Sequence, residues 1–154
     1  MQHDNLFIVG EYKESFNLAT EQSLPCGPIY QSVGLITHIK KRHPNEVDNL
    51  KYISDIIAKP DYIGKHPNES DSIELVKVLE NNVMACIKLD SNEGYLFVAS
   101  IFEISDSKLK NRLNSGRLKN IDNHRKTWLN IGVKAYTLMD IEVGNGSRRS
   151  RKGT

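Results

Sequence analysis

Three apolar runs joined by very short links constrain the fold of this chain more than any other feature. They read SIELVKVLE (72–80), VMACIKLD (83–90) and YLFVASIFEI (95–104). The first run alternates in the manner of a strand, and the third is rich in β-branched and aromatic residues. The links, Asn81-Asn82 and Ser91-Asn92-Glu93-Gly94, are composed of turn-forming residues. Because links this short join antiparallel neighbours, the sequence predicts an antiparallel meander.

Two helices are predicted before the meander. Apolar residues recur at helical spacing over 31–42, where Ser32 is a suitable N-cap and Pro44 ends the pattern. The same spacing continues over 46–58 and stops at Pro60, because the residue before a proline disfavours helix.

A further helix is predicted after the meander, over 106–118, with Ser105 as its N-cap. The segment 127–143 is either a strand pair, which we favour, or a short helix. Residues 5–9, NLFIV, form a candidate edge strand. Helices, a meander and another helix together predict an α+β fold, with the N-terminal helices on one face of an antiparallel sheet and the other face free.

The predicted domain organisation is simple. We expect an irregular N-terminal extension over 1–28, one domain over 29–143, and a disordered basic tail over 144–154, which is rich in glycine, serine and arginine. A chain of 154 residues suits one such domain.

Composition and motifs exclude several classes of function. Cys26 and Cys86 form no C-x-x-C pair, so we expect two reduced thiols in a cytoplasmic protein. The chain has neither a signal-peptide pattern nor a run approaching the ~20 apolar residues of a membrane span. It lacks a P-loop, a G-x-G-x-x-G and a G-x-S-x-G motif, so we expect no nucleotide cofactor and no serine hydrolase.

The stretch LITHIKKRHP (35–44) carries the most suggestive chemistry. On a helix, His38, Lys41 and Arg42 share one flank, and His43 lies at the C-terminal end. RNA cleavage by the neighbouring 2′-hydroxyl needs a base, an acid and a cation to stabilise the phosphate, and this flank offers all three. The alternative is an ordinary solvated helix face that includes histidine.

The histidine spacing argues against a metal site. His38 and His43 are five residues apart, whereas a helix presents two ligands to one ion at a separation of about three or four. The nearby acids, Glu46 and Asp48, form no metal-binding pattern. The sequence therefore predicts no metal.

A basic segment follows the meander, between residues 107 and 126. It contains one acid, Asp122, and seven basic residues: Lys108, Lys110, Arg112, Arg117, Lys119, Arg125 and Lys126. Such a segment attracts phosphate backbones. The alternative is a solvated helix face balanced by the acidic region of 69–80.

Three sequence blocks, taken together, resemble a known family. They are IYQSVGLITHIKKRHP (29–44), PDYIGKHPNESDSIELVKVLENNVMACIKLD (60–90) and YLFVASIFEISDSKLKNRLNSGRLK (95–119). In this order and spacing they resemble the phage-type nucleases of the barnase–EndoU–colicin–RelE-like superfamily, and most closely its third phage-associated group. The block around PDYIG is the most specific part.

The resemblance implies a small, metal-independent endoribonuclease with initial helices and a twisted antiparallel sheet of about four strands. Members occur in toxins and in phage or mobile-element effectors, and they are often aimed at tRNA. The implied partner is RNA, the implied location is the cytoplasm of the host or target cell, and a cognate immunity or antitoxin protein is compatible with this reading. No cofactor is implied.

The resemblance also suggests roles for individual residues. His38 is the first candidate for general base or acid, with His43 or Lys41 as its partner; Lys77 would clamp the scissile phosphate and Ser100 would donate to a phosphate oxygen. The predicted RNA-binding residues are Tyr62, Lys65, Arg42, Lys108, Arg112, Arg117 and Lys119.

Structural alternatives exist for three of these residues. Lys77 suits a protected edge strand, Ser100 suits an ordinary strand position, and Tyr62 suits a small core beneath the connector. Two other functions compete with the nuclease. One is a non-catalytic RNA-binding module of the same fold, and the other is a protein-interaction module.

Overall fold

The computed structural model describes residues 5–121. The described residues up to 119 form one compact unit. The predictions for 127–143 and 144–154 lie outside the described residues, and the predicted domain limits stay a prediction. Among the described helices, none has the length and apolar composition of a membrane span.

Seven strands, four α-helices and one 3₁₀ segment are described. The strands are β1 (Leu6–Tyr12), β2 (Gly27–Ser32), β3 (Tyr62–Gly64), β4 (Ser72–Val78), β5 (Asn82–Leu89), β6 (Leu96–Ile104) and β7 (Leu118–Asn120). The helices are α1 (Glu14–Thr20), α2 (Val33–Arg42), α3 (Ile53–Ala58) and α4 (Asp106–Ser115), with the 3₁₀ segment over Pro44–Tyr52.

All seven strands form one sheet in the order β1-β2-β6-β5-β4-β3-β7. The α+β class is confirmed, but the expectation of about four strands is wrong. The predicted meander β4-β5-β6 is antiparallel as expected. The sheet is nevertheless mixed, because β2 pairs with β6 in parallel.

The N-terminal residues differ most from expectation. The segment predicted to be irregular contains β1 and α1, and β1 lies at the sheet edge, as NLFIV suggested. Tyr12 and Phe16 pack edge to face with ring centroids 5.3 Å apart. The Tyr12 hydroxyl donates to the buried Asn17 amide oxygen at 2.8 Å. These contacts fold the N-terminal segment onto the core.

Helix starts were predicted well, but one helix type was not. Ser32 caps α2 by accepting from the Leu35 N–H at 3.1 Å, and Ser105 caps α4 by accepting from the Lys108 N–H at 3.1 Å. The second predicted helix is mainly the 3₁₀ segment, and α-helix begins only at Ile53. Gly116 ends α4 in the left-handed conformation, φ 85°, which glycine adopts without strain.

Both faces of the sheet carry helices. One face, which we call the α3 face, includes Gly10, and a methyl group added there would lie 2.5 Å from Ile57 of α3. The opposite face, which we call the α4 face, packs Val76 and Met84 against Leu109 of α4. The prediction of a free second face is therefore wrong where α4 covers it.

Candidate active site

A cavity of about 170 Å³ lies between α2 and β6. We call it the histidine cavity. Four of its lining residues carry polar side chains: His38, His43, Glu46 and Ser100. The others are Leu35, Ile39, Ala99, Ile101 and Phe102. A few polar groups converging on a mainly apolar cavity are typical of ligand sites.

Strand topology creates this cavity. The parallel pairing of β2 with β6 comprises only Ile29–Leu96 and Tyr30–Phe97. The chain then turns into α2 at Val33, so α2 lies where further pairing of β6 would have been. In β6, Ala99 is an extra residue, because Cys86 pairs with Ser100 and the next residue of β5 pairs with Val98. Such bulges commonly reorient side chains beside active sites.

The two histidines lie side by side at the end of α2. Their ring centroids are 6.0 Å apart, and the ring planes are inclined by 65°. The position of His43 is fixed by its backbone, because its N–H donates to the Ile39 carbonyl at 2.8 Å and ends the helix. Both side chains are exposed. Among residues 5–121 neither imidazole has a hydrogen-bond partner, so both are available to a ligand.

Ser100 enters the cavity from the strand side. It pairs in register with Cys86 of β5, and its hydroxyl hydrogen-bonds with the Cys86 thiol. Burial raises the pKa of Cys86, and this hydrogen bond partly opposes the rise. Ser100 is therefore held by the sheet while remaining part of the cavity wall.

Glu46 is a cavity residue to which the sequence interpretation gave no role. The buried Asn49 donates through the same amide nitrogen to Glu46 at 2.7 Å and to Glu103 at 3.1 Å. Asn49 thus ties a carboxylate of the cavity to β6. A spacing of three residues places His43, Glu46 and Asn49 on one side of a 3₁₀ turn. The sequence did not predict that turn type, so the spacing could not be recognised.

Two predicted catalytic residues and two predicted RNA-binding residues lie elsewhere. Lys41 and Arg42 are exposed in the last turn of α2 and do not line the cavity. The Lys77 ammonium donates to the Lys59 carbonyl at 2.9 Å. Tyr62 packs against the apolar cluster beneath α4.

A second concavity, the basic cleft, collects three of the predicted RNA-binding residues. Lys65, Arg112 and Arg117 line an open cleft of about 620 Å³. Arg117 forms two hydrogen bonds with Glu74, at 2.9 and 2.5 Å, and Glu74 is only 2% exposed. This pairing raises the pKa of Arg117. Arg112 donates to the Met84 sulfur at 3.3 Å.

The two remaining predicted RNA-binding residues lie outside both concavities. Lys108 is exposed on α4. The Lys119 ammonium donates to the Ala19 carbonyl at 3.4 Å. Within 5–121, no three histidine, cysteine or carboxylate side chains form a group suited to one metal ion.

Comparison with known protein families gives a match over most of the described residues. Residues 7–111 match the family model described as phage-Barnase-EndoU-ColicinE5/D-RelE like nuclease3. No curated protein and no solved structure matches the chain. The matched range includes α2, the 3₁₀ segment and β6, and so every residue of the histidine cavity.

Proposed function

The chain belongs to the phage-Barnase-EndoU-ColicinE5/D-RelE like nuclease3 family, and from this premise we propose that it is a metal-independent endoribonuclease that acts at the histidine cavity. The proposed substrate is RNA, and tRNA is the RNA used in the first assay. A cognate immunity or antitoxin protein remains a proposed partner.

The proposed reaction is attack of the 2′-oxygen on the adjacent phosphorus. One imidazole takes the 2′ proton, and the other gives a proton to the 5′-oxygen as the P–O5′ bond breaks. The products are a 2′,3′-cyclic phosphate and a free 5′-hydroxyl. The hydroxyl of Ser100 donates to a non-bridging oxygen, and Lys41 and Arg42, exposed in the last turn of α2 before His43, add positive charge.

The observation that carries this proposal is the convergence of His38, His43 and Ser100 on one cavity. A hydrogen bond spans about 3 Å, so two rings whose centroids are 6.0 Å apart can both reach oxygens of one phosphate that lies beside them. Glu46 lies in the same wall and is a second candidate for the base. Lys77 is not part of this proposal, because it does not line the histidine cavity.

The test is cleavage of total tRNA in excess EDTA, with analysis of the product ends. We expect 2′,3′-cyclic phosphates from the wild-type chain and a severe loss with His38→Ala. The matched control is His66→Ala, because the His66 ring accepts from the Asn68 N–H at 3.0 Å, outside the cavity. Intact RNA at high protein concentration, or unchanged cleavage by His38→Ala, would contradict the proposal.

The basic cleft supports the second candidate function, an RNA-binding module without catalysis. An open cleft lined by Lys65 and Arg112 can accept a phosphate backbone. Salt-dependent RNA binding, with no cleavage under any condition in which the chain is folded, would favour this function over the nuclease.

A further inference from the structure

Three aromatic rings form a strip on the α4 face, at the end of the sheet away from α4. Tyr30 and Tyr95 meet edge to face with centroids 5.6 Å apart, and Tyr95 meets Phe97 in the same way at 6.2 Å. All three side chains are partly exposed. A contiguous aromatic surface of this kind, unlike scattered apolar residues, indicates a contact site.

Strand register places this aromatic strip beside the histidine cavity. Tyr30 of β2 pairs with Phe97 of β6, and Phe97 pairs with Lys88 of β5. The side chains of Tyr30, Phe97 and Lys88 therefore lie on one face of the sheet. Ser100 pairs with Cys86, two residues before Lys88, and therefore points to the same face. At about 3.3 Å per strand residue, Phe97 lies within roughly 10 Å of Ser100.

The fold explains why the rings stay accessible. The apolar cluster beneath α4 uses Ile104 and Phe102, which lie at the other end of β6. The bulge at Ala99 separates these residues from Phe97 and keeps Ser100 in phase with it. On the edge strand, Ile8 pairs with Tyr30 and is 62% exposed, which extends the same apolar surface.

The chemical groups at this end of the sheet favour the binding of a nucleotide base over the binding of a phosphate. Burial raises the pKa of Tyr95, and the negative charges of Asp90 and Glu93 raise it further. Negative charge repels phosphate, whereas an aromatic face stacks on any base. Single-stranded RNA is commonly recognised by stacking its bases on aromatic side chains.

We propose that Tyr30, Tyr95 and Phe97 form a stacking platform for an unpaired base next to the phosphate held in the histidine cavity. The inference rests on the proposed function for its substrate class. It adds a site with a distinct role, because the rings fix the nucleotide while the cavity acts on the phosphate. The platform thereby requires RNA that is single-stranded at the cleavage point.

The experiment measures stacking without cleavage. The probe is a short single-stranded oligonucleotide of 2′-deoxy sugars that carries 2-aminopurine, whose fluorescence falls when it stacks. We expect quenching by the wild-type chain. Tyr30→Leu and Phe97→Leu, which keep apolar bulk, should weaken binding about tenfold, since one stacked base contributes roughly that much.

Two comparisons separate stacking from a general structural effect. Tyr30→Trp should retain both quenching and affinity, because it keeps a ring. Phe7→Leu is the matched control, since Phe7 is 42% exposed on the neighbouring edge strand and pairs with Gln31, which places it on the α3 face. The leucine variants should leave the dependence of binding on salt unchanged, because they remove no charge.

The outcomes also distinguish the platform from the proposed function. Quenching without RNA cleavage would keep the platform and overturn the nuclease. Cleavage with no quenching, or equal binding by Tyr30→Leu and Phe7→Leu, would overturn the platform alone. Self-association that is lost in Phe97→Leu, without any effect on oligonucleotide binding, would instead assign the rings to a protein contact and overturn the proposal.

Discussion

The charged and titratable residues of the histidine cavity and those of the basic cleft differ in how far they are bound by other residues of the chain. In the cavity, His38 and His43 lie at the end of α2. No residue in the described part of the chain forms a hydrogen bond with their ring nitrogens. In the cleft, Arg117 is held by the buried Glu74, and Arg112 contacts Met84. The basic cleft contains more positively charged residues than the histidine cavity, but two of them, Arg112 and Arg117, already form contacts within the folded chain.

This comparison separates catalysis from stability. A cation paired with a buried carboxylate is needed to keep the carboxylate satisfied, so its removal affects folding first. A histidine at the wall of an accessible cavity can be removed with little structural cost. Variants in the two regions should therefore fail in different assays.

The largest effect is expected for the histidines. His38→Ala and His43→Ala should each lower kcat for RNA cleavage by about 10²- to 10⁴-fold, because each removes one proton-transfer group. The measurement is the pH dependence of kcat/KM. A bell-shaped profile should lose a different limb in each variant. If the two variants have the same profile, the division of acid and base roles between them is wrong.

Stability should change most in the other region. Glu74 is 2% exposed and is bound by Arg117. Arg117→Ala should therefore lower the free energy of unfolding by about 3–5 kcal/mol, because it leaves a buried carboxylate unpaired. Urea unfolding gives the value, and Lys65→Ala, an exposed residue of the same cleft, is the control, expected within about 0.5 kcal/mol of wild type.

A small loss of stability in Arg117→Ala would change the comparison. It would mean that Glu74 is satisfied in another way, and Arg117 would then be available for RNA. Activity measured per folded molecule distinguishes a structural role of Arg117 from a role in RNA binding. We expect kcat in Arg117→Ala to stay near the wild-type value at temperatures where the variant is folded.

Ser100 tests the strand side of the cavity. Ser100→Ala should lower kcat about 10²-fold if its hydroxyl donates to the phosphate, and Ser100→Thr should retain most activity because it keeps that hydroxyl. Ser100→Ala should also raise the pKa of Cys86 further, since the hydrogen bond that lowers this pKa is lost. The pH dependence of thiol alkylation measures the second effect. A shift in thiol reactivity with unchanged kcat would restrict Ser100 to a structural role.

The sequence predicted local features better than long-range ones. Strand alternation predicted β4 to β6, and the hydroxyl side chains of Ser32 and Ser105 predicted two helix starts, because these signals lie within a few residues. Strand β2 was missed, and β1 was predicted only over 5–9. Gly10 interrupts the apolar pattern of β1, and β2 is stabilised by its parallel pairing with a strand more than sixty residues away.

The site was predicted in part for the same reason. The sequence placed His38 and His43 at one helix end, but their meeting with Ser100 depends on where β2 stops pairing with β6. Glu46 carried no signal, because its position depends on a 3₁₀ segment and on the hydrogen bonds of Asn49. The aromatic strip joins residues of β2 and β6, so sequence spacing does not show it.

The smallest effect is expected for Lys65 of the basic cleft. Lys65 is exposed, and among the residues of 5–121 it differs from Arg117 in forming no ion pair with a buried acid. Lys65→Ala should weaken RNA binding by roughly 1 kcal/mol for all sequences and lower the slope of log K against log salt by about one, as loss of one phosphate contact does. Fluorescence anisotropy at several salt concentrations provides both numbers.

Because Lys65 would hold the RNA backbone without taking part in bond breaking, KM for RNA cleavage should rise in Lys65→Ala while kcat stays constant. An unchanged salt slope would mean that RNA does not enter the basic cleft, and the path of the substrate would then be confined to the histidine cavity and the aromatic strip beside it.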